Sequence, residues 1–169
     1  MRGGADVAAR ICELASSLVA SHPHVAGVAV ASAGVVDPST GDIVSATGTM
    51  PGWGGTPLGS LLQEATGLKV RVLNDVHAHG LGEATLGAGQ PYRSVLSIAV
   101  GTGIGGALVE DRQVFFGSRG IAGHVGHIHH HFAPDMTCSC GRKGHIESFC
   151  SGSGITAWYD SLRGESDPE

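Results

Sequence analysis

The chain has 169 residues, and ten Lys and Arg against fifteen Asp and Glu leave a formal charge of −5 at pH 7. That length suits one medium domain, or one domain with part of another. The mild acidity argues against bulk binding to nucleic-acid phosphates or anionic membranes, which needs a basic surface. Glycine is the outlier at 28 residues, far above the usual share of about 7%. It follows no Gly-X-Y period and punctuates apolar runs, which excludes collagen and a flexible linker.

Val7, Ile11, Leu14 and Leu18 recur at helical spacing and predict an amphipathic helix over 6–20, ended by His22-Pro23-His24. Val25 to Ala31 is a Val- and Ala-rich run of the kind buried on both faces of a sheet. A turn cluster, Asp37 to Asp42, leads to a short strand over Ile43 to Ala46 and a glycine-rich loop with Pro51-Gly52-Trp53. Residues 57–66 read as a helix capped by Gly67, Lys69 to Leu73 as a strand ending at Asn74-Asp75, and 76–87 as a helix. Ser94 to Val100 and Ala107 to Glu110 form a hairpin around Gly101-Thr102-Gly103-Ile104-Gly105-Gly106. From Gly117 to Gly152 the chain reads as irregular. The alternation of helix and strand in the first half implies an α/β layer.

No run of about 18 apolar residues occurs, so no membrane span is expected. Asp6, Arg10, Cys12 and Glu13 interrupt the first apolar stretch, so no secretion signal is read there and a cytoplasmic location is expected. In that compartment a close pair of cysteines among histidines points to metal rather than to disulfides.

Three constellations carry chemistry. His127, Cys138, Cys140 and His145 supply two imidazoles and two thiolates, a set suited to a closed, structural tetrahedral zinc site. The run His129-His130-His131 offers competing imidazoles, and reads otherwise as a solvated loop beside that site. Asn74-Asp75 stands at the carboxyl end of a strand, where open α/β sheets bind ligands and where an aspartate can take a proton from an attacking hydroxyl. The same dipeptide suits a turn or helix cap equally well. The loop Gly101 to Gly106 lets backbone N–H groups approach phosphate oxygens, with Thr102 adding a hydroxyl, though an ordinary hairpin turn would use the same residues. It is neither a Rossmann nor a Walker A sequence.

In order and spacing these pieces resemble the ROK family of repressors and sugar kinases. The stretches concerned are Ala33-Gly34-Val35-Val36-Asp37, Pro51-Gly52-Trp53, Asn74-Asp75 and the 101–106 loop. Gly123-His124-Val125-Gly126-His127 and Cys138-Ser139-Cys140-Gly141-Arg142-Lys143-Gly144-His145-Ile146-Glu147 complete the set. The resemblance implies an α/β actin-like ATPase (ribonuclease H-like) fold, here incomplete, with a zinc-stabilised loop. Residues 1–90 would be a partial first lobe on the sugar side, and 91–169 a partial second lobe with the phosphate and zinc loops.

By the same resemblance Asp75 is the catalytic base for a sugar 6-hydroxyl attacking the γ-phosphate of ATP. Asn74, His124, His127 and Glu147 are sugar ligands. Gly101, Thr102, Gly103 and Gly105 bind phosphate, and ATP comes with Mg²⁺. His127, Cys138, Cys140 and His145 hold the structural Zn²⁺. Partners would be a hexose or N-acetylhexosamine and a second copy in a homodimer, with no nucleic acid and no membrane. The alternative is a sugar-sensing, non-catalytic fragment of a ROK repressor.

Three positions depart from the common pattern. His124 stands for a sugar-binding glutamate, His145 for a third cysteine, and Thr49 for a sugar-contacting asparagine. The family's Asp-x-Gly-Gly-Thr hairpin is expected upstream of Val25 and its adenosine-binding segment after residue 152. Neither is read in this sequence, which on that expectation is the central part of such a protein. Cys12 and Cys150 carry no readable role.

Overall fold

The computed structural model describes residues 3–48, 50–133 and 135–163, so Thr49 lies outside the described residues. The chain divides into two compact units, Met1–Ala78 with Ser118–Gly120, and His79–Gly117 with Ile121–Glu169.

In the first unit, helix α1 (Gly4–Ser21) packs on α2 (Leu58–Thr66). Gly67 closes α2 in the left-handed conformation at φ 68°, donating its N–H to the Gln63 carbonyl at 2.9 Å. That is the geometry a side chain at the position would resist. Strand β1 (Gly27–Ser32) runs parallel to β4 (Lys69–Asn74), in register from Gly27↔Lys69 to Ser32↔Asn74. The connection between them carries the short antiparallel pair β2 (Val35–Val36) and β3 (Ile43–Ser45) and then α2. Ala8, Val36, Ile43, Trp53, Leu58, Leu62 and Val72 form the core.

Two expectations for this unit are corrected. β1 is not buried on both faces: Val28 and Val30 are half-buried while Gly27, Ala29 and Ala31 are exposed. Its apolar run is uniform in polarity, but its larger side chains point one way and only that face is covered. The α1 stripe also splits. Val7, Ile11 and Ala15 pack on the core, whereas Leu14 and Leu18 stay exposed along a shallow groove of about 460 Å³ beside β1.

In the second unit β5 (Ser94–Val100) and β6 (Ile104–Glu110) form the expected hairpin, paired from Ser94↔Glu110 to Val100↔Ile104. β7 (Gln113–Val114) extends it through a two-residue turn in which Asp111 and Arg112 both take positive φ, 50° and 59°. That is the backbone a right-twisted two-residue hairpin prefers. β6 is largely buried, with Ala107 and Val109 fully enclosed. Helix α3 (Asp75–Leu86) begins in the first unit and ends in the second.

Among the described residues of 117–146 the regular structure is one turn of 3-10 helix, Val125–His127, and two isolated bridges, His129↔His145 and Thr137↔Lys143. Helices α4 (Glu147–Cys150) and α5 (Gly152–Arg163) follow. α5 was not expected. Its residues Ile155, Trp158, Tyr159 and Leu162 do keep helical spacing, but all four are exposed. Among the described residues no helix is long and apolar enough to cross a membrane.

Candidate functional site

In the first unit the chemistry gathers at the carboxyl ends of β1 and β4. The buried Trp53 donates its indole N–H to the Ser32 hydroxyl at 3.3 Å and the Ala33 carbonyl at 3.1 Å, which fixes the exit from β1. Asn74, also buried, donates its amide to the Gly34 carbonyl at 3.0 Å and to Asp75 Oδ1 at 2.9 Å. Its own Oδ1 accepts the N–H groups of Val76 and His77, at 3.0 and 3.1 Å. Asn74 is therefore the cap of α3, satisfying two of the amide groups a helix start leaves unpaired. Asp75 is exposed, and its Oδ1 also accepts the Val76 N–H at 3.0 Å. Cap and candidate base are thus one construction: the asparagine holds the turn and orients one carboxylate oxygen of its neighbour.

In the second unit His127, Cys138, Cys140 and His145 converge, each offering one donor atom, all within 4.8 Å of one another. His127 Nδ1 is 3.2 Å from His145 Nδ1 and 3.6 Å from Cys138 Sγ, and Cys140 Sγ is 3.4 Å from His145 Nδ1. Tetrahedral zinc with ordinary bond lengths would set its ligands about 3.3 Å apart for N···N and about 3.6 Å for N···S. The four donors suit that ion in kind and number, and those three separations are close to its spacing.

Local turns explain how they meet. The Cys138 N–H donates to the Arg142 carbonyl and the Gly141 N–H to the Cys138 carbonyl, both at 2.8 Å, folding the cysteine turn on itself. His129 bridges to His145, and the His130 N–H reaches the Gly144 carbonyl at 2.7 Å. The backbone of the histidine run is thus tied to the turn, with His129 and His131 exposed and the half-buried His130 ring against Phe132 and Phe149. Burial, with His127 and Arg142 close by, pushes the His145 imidazole below its ordinary pKa, toward the neutral form that ligates metal. Burial pushes the Cys138 thiol up.

Glu147 lies at the same place. Its Oε1 accepts the Ser139 hydroxyl at 2.7 Å and faces Cys138 Sγ at 3.4 Å, while its Oε2 accepts the Ile104 N–H at 2.9 Å. Burial acts to raise its pKa, but the hydrogen bonds from Ser139, Ile104 and Cys138 outweigh it and hold the carboxyl below its ordinary value. His124 is half-buried at the start of the 3-10 turn, its ring 6.3 Å from that of His127.

The glycine loop is more occupied than the sequence suggests. The Gly101 N–H donates to the Gly103 carbonyl at 2.9 Å, and the Ile104 N–H is taken by Glu147. The Gly101 carbonyl accepts the Gly152 N–H at 2.8 Å, and the Thr102 carbonyl accepts the Ser153 hydroxyl at 2.6 Å. Sequence reasoning found the loop but missed Ser139, Gly152 and Ser153 as its supports, because nothing local in sequence connects them to it.

The chain as a whole is similar to several known proteins. A glucokinase of Halalkalibacterium halodurans is 33% identical over 157 residues, covering 90% of this chain and 47% of that protein. A xylose repressor of Caldicellulosiruptor bescii is 32% identical over 125 residues, covering 74% of this chain and 31% of that protein. The chain therefore spans less than half the length of either curated relative. A crystal structure of a ROK family glucokinase from Streptomyces griseus in complex with glucose and AMPPNP superposes with a TM-score of 0.78 at 29% identity, covering 92% of this chain and 49% of that one. The fold is thus the α/β actin-like ATPase fold of the ROK sugar kinases. With the ROK family profile matching residues 6–168, the chain belongs to the ROK family.

Proposed function

We propose that this chain serves an ATP-dependent sugar kinase that transfers the γ-phosphate of ATP to the 6-hydroxyl of a hexose or N-acetylhexosamine. The observation that carries the reading is the Asn74–Asp75 construction, an exposed carboxylate at the end of β4 with one oxygen held by Asn74 and the Val76 N–H. In this reading Asp75 accepts the proton of the sugar hydroxyl as its oxygen attacks phosphorus, the general-base role phosphoryl transfer requires. Asn74, His124, His127 and Glu147 contact the sugar. Gly101, Thr102, Gly103 and Gly105 approach the phosphates, where Mg²⁺ accompanying ATP would neutralise developing charge.

Zinc held by His127, Cys138, Cys140 and His145 would cross-link the loops that carry these residues and stabilise the folded form of the second unit. The imidazole of His124, with one donor and one acceptor where a carboxylate has two anionic oxygens, would relax the pocket's hold on sugar hydroxyls. The location proposed is cytoplasmic, and a homodimer is the assembly proposed.

A second reading, sugar sensing without catalysis, is favoured by the likeness to the xylose repressor. Phosphate transfer to glucose, N-acetylglucosamine and N-acetylmannosamine, assayed beside sugar binding by calorimetry, separates the two. The kinase reading expects a sugar 6-phosphate product that Asp75→Asn abolishes while binding persists. Sugar binding with no product from the parent chain favours the sensor instead.

A further inference from the structure

We infer that Glu147 is a positioning residue that couples the metal cluster to the glycine loop, so that filling the cluster orders the loop. The inference rests on the metal reading above and concerns what the ion would do beyond cross-linking.

Ser139 stands between Cys138 and Cys140, two of the four donors. A metal held by both cysteines fixes where the Ser139 hydroxyl can lie. That hydroxyl donates to Glu147 Oε1 at 2.7 Å, and Oε2 of the same carboxylate accepts the Ile104 N–H at 2.9 Å across 43 residues of chain. The carboxylate is planar and short, so holding one oxygen sets the other. Both bonds are made to an anion, which strengthens them relative to neutral pairs.

The loop end of the link is equally close. A Cβ on Gly103 would come within 2.7 Å of Glu147 Oε2, so the carboxylate lies directly against the loop backbone. Residues 101 and 103 have no side chains with which to fix themselves. The other hold on the tip, from Gly152 and Ser153, acts on the Gly101 and Thr102 carbonyls. Glu147 holds the Gly103–Ile104 side, and Ser139 ties it to the cysteine turn.

Hydrogen exchange of residues 101–106, followed by mass spectrometry with Zn²⁺ or with a chelator, tests the coupling. Zinc stoichiometry is read in parallel with a chromophoric chelator. The expectation for the parent chain is that zinc slows exchange at Ile104 about tenfold. Ser139→Ala should bind zinc one to one yet lose that slowing, and Ser139→Thr, which keeps the hydroxyl, should restore it. A purely structural role for the serine would not give this pattern of loss and rescue at constant metal content. Stoichiometric zinc with unchanged exchange at 101–106 overturns the coupling, as does full slowing in Ser139→Ala. Failure of the parent chain to bind zinc overturns the metal reading and the coupling together. The anchor on the loop is then judged without metal: Glu147→Gln must speed exchange at Ile104, and equal rates refute it.

Discussion

His127 and His145 bring their Nδ1 atoms to 3.2 Å of each other, with the rings edge to face and their centroids 5.1 Å apart. Two imidazoles can share only one proton in such a contact, and two thiols stand beside them with the same approach. A cation accepting from all four donors resolves the arrangement better than hydrogen bonds among them. One zinc per chain is therefore expected by metal analysis of untagged protein. His145→Ala should weaken zinc binding by more than the ~10–100-fold that loss of an outer partner costs. His145→Cys should retain it, since thiolate and imidazole both ligate zinc. Competition titration reads all three.

Asn74 caps α3 and also ties the β4 end to the Gly34 carbonyl. Asn74→Ala should cost about 1–2 kcal/mol of stability in urea denaturation. Asp75→Asn keeps a cap and should change stability by less than about 0.5 kcal/mol, as an exposed substitution does. An equal loss in both variants would show the pair to be structural alone.

Trp53 is 2% exposed and its N–H is spent on Ser32 and Ala33. Trp53→Ala should destabilise by about 3–5 kcal/mol through the cavity it leaves. Trp53→Phe keeps most of the ring volume and loses the donor, so about 1–3 kcal/mol is expected. Thermal and urea unfolding would resolve the two.

Asp37 accepts the Ser39 hydroxyl and N–H, and those bonds, the hydroxyl's first, hold its carboxyl below its ordinary value of 3.8. A depressed carboxylate contributes stability that is complete above the unfolded value and is lost as pH falls through the folded one. The contribution of Asp37 should therefore disappear only below pH 3.8. Carboxyl ¹³C titration of Ser39→Ala should move the Asp37 midpoint up toward 3.8; an unmoved midpoint refutes the assignment.

Much of this was readable from local patterns. The stop of α2 at Gly67, the end of β4 at Asn74 and the hairpin about Gly101 to Gly106 are each written in a few adjacent residues. The metal donors were legible as residue types, because two thiols and two imidazoles within 19 positions are hard to explain otherwise. What escaped was either non-local or masked. The Ile104–Glu147 bond joins residues 43 apart, and no pattern in either stretch announces it. The Asp111-Arg112 turn lacks the Asn-Gly or Asp-Gly signal of its type. α5 carried a readable stripe at Ile155, Trp158, Tyr159 and Leu162, obscured by Gly152 and Gly154 at its start. β1 misled because Val and Ala alternate in size rather than polarity, so covered and open faces look alike in sequence.

The two sheets also differ in how far apart along the chain their partners lie. β5 and β6 are separated only by the three residues of a tight loop and can zip from that end within microseconds. β1 must find β4 across residues 33–68, a closure that costs entropy before any parallel pairing rewards it. Nucleation in the first unit should therefore wait on α1, α2 and Trp53 gathering around the connection. The hairpin that carries the glycine loop should be in place well before the strand that carries Asp75 has a partner.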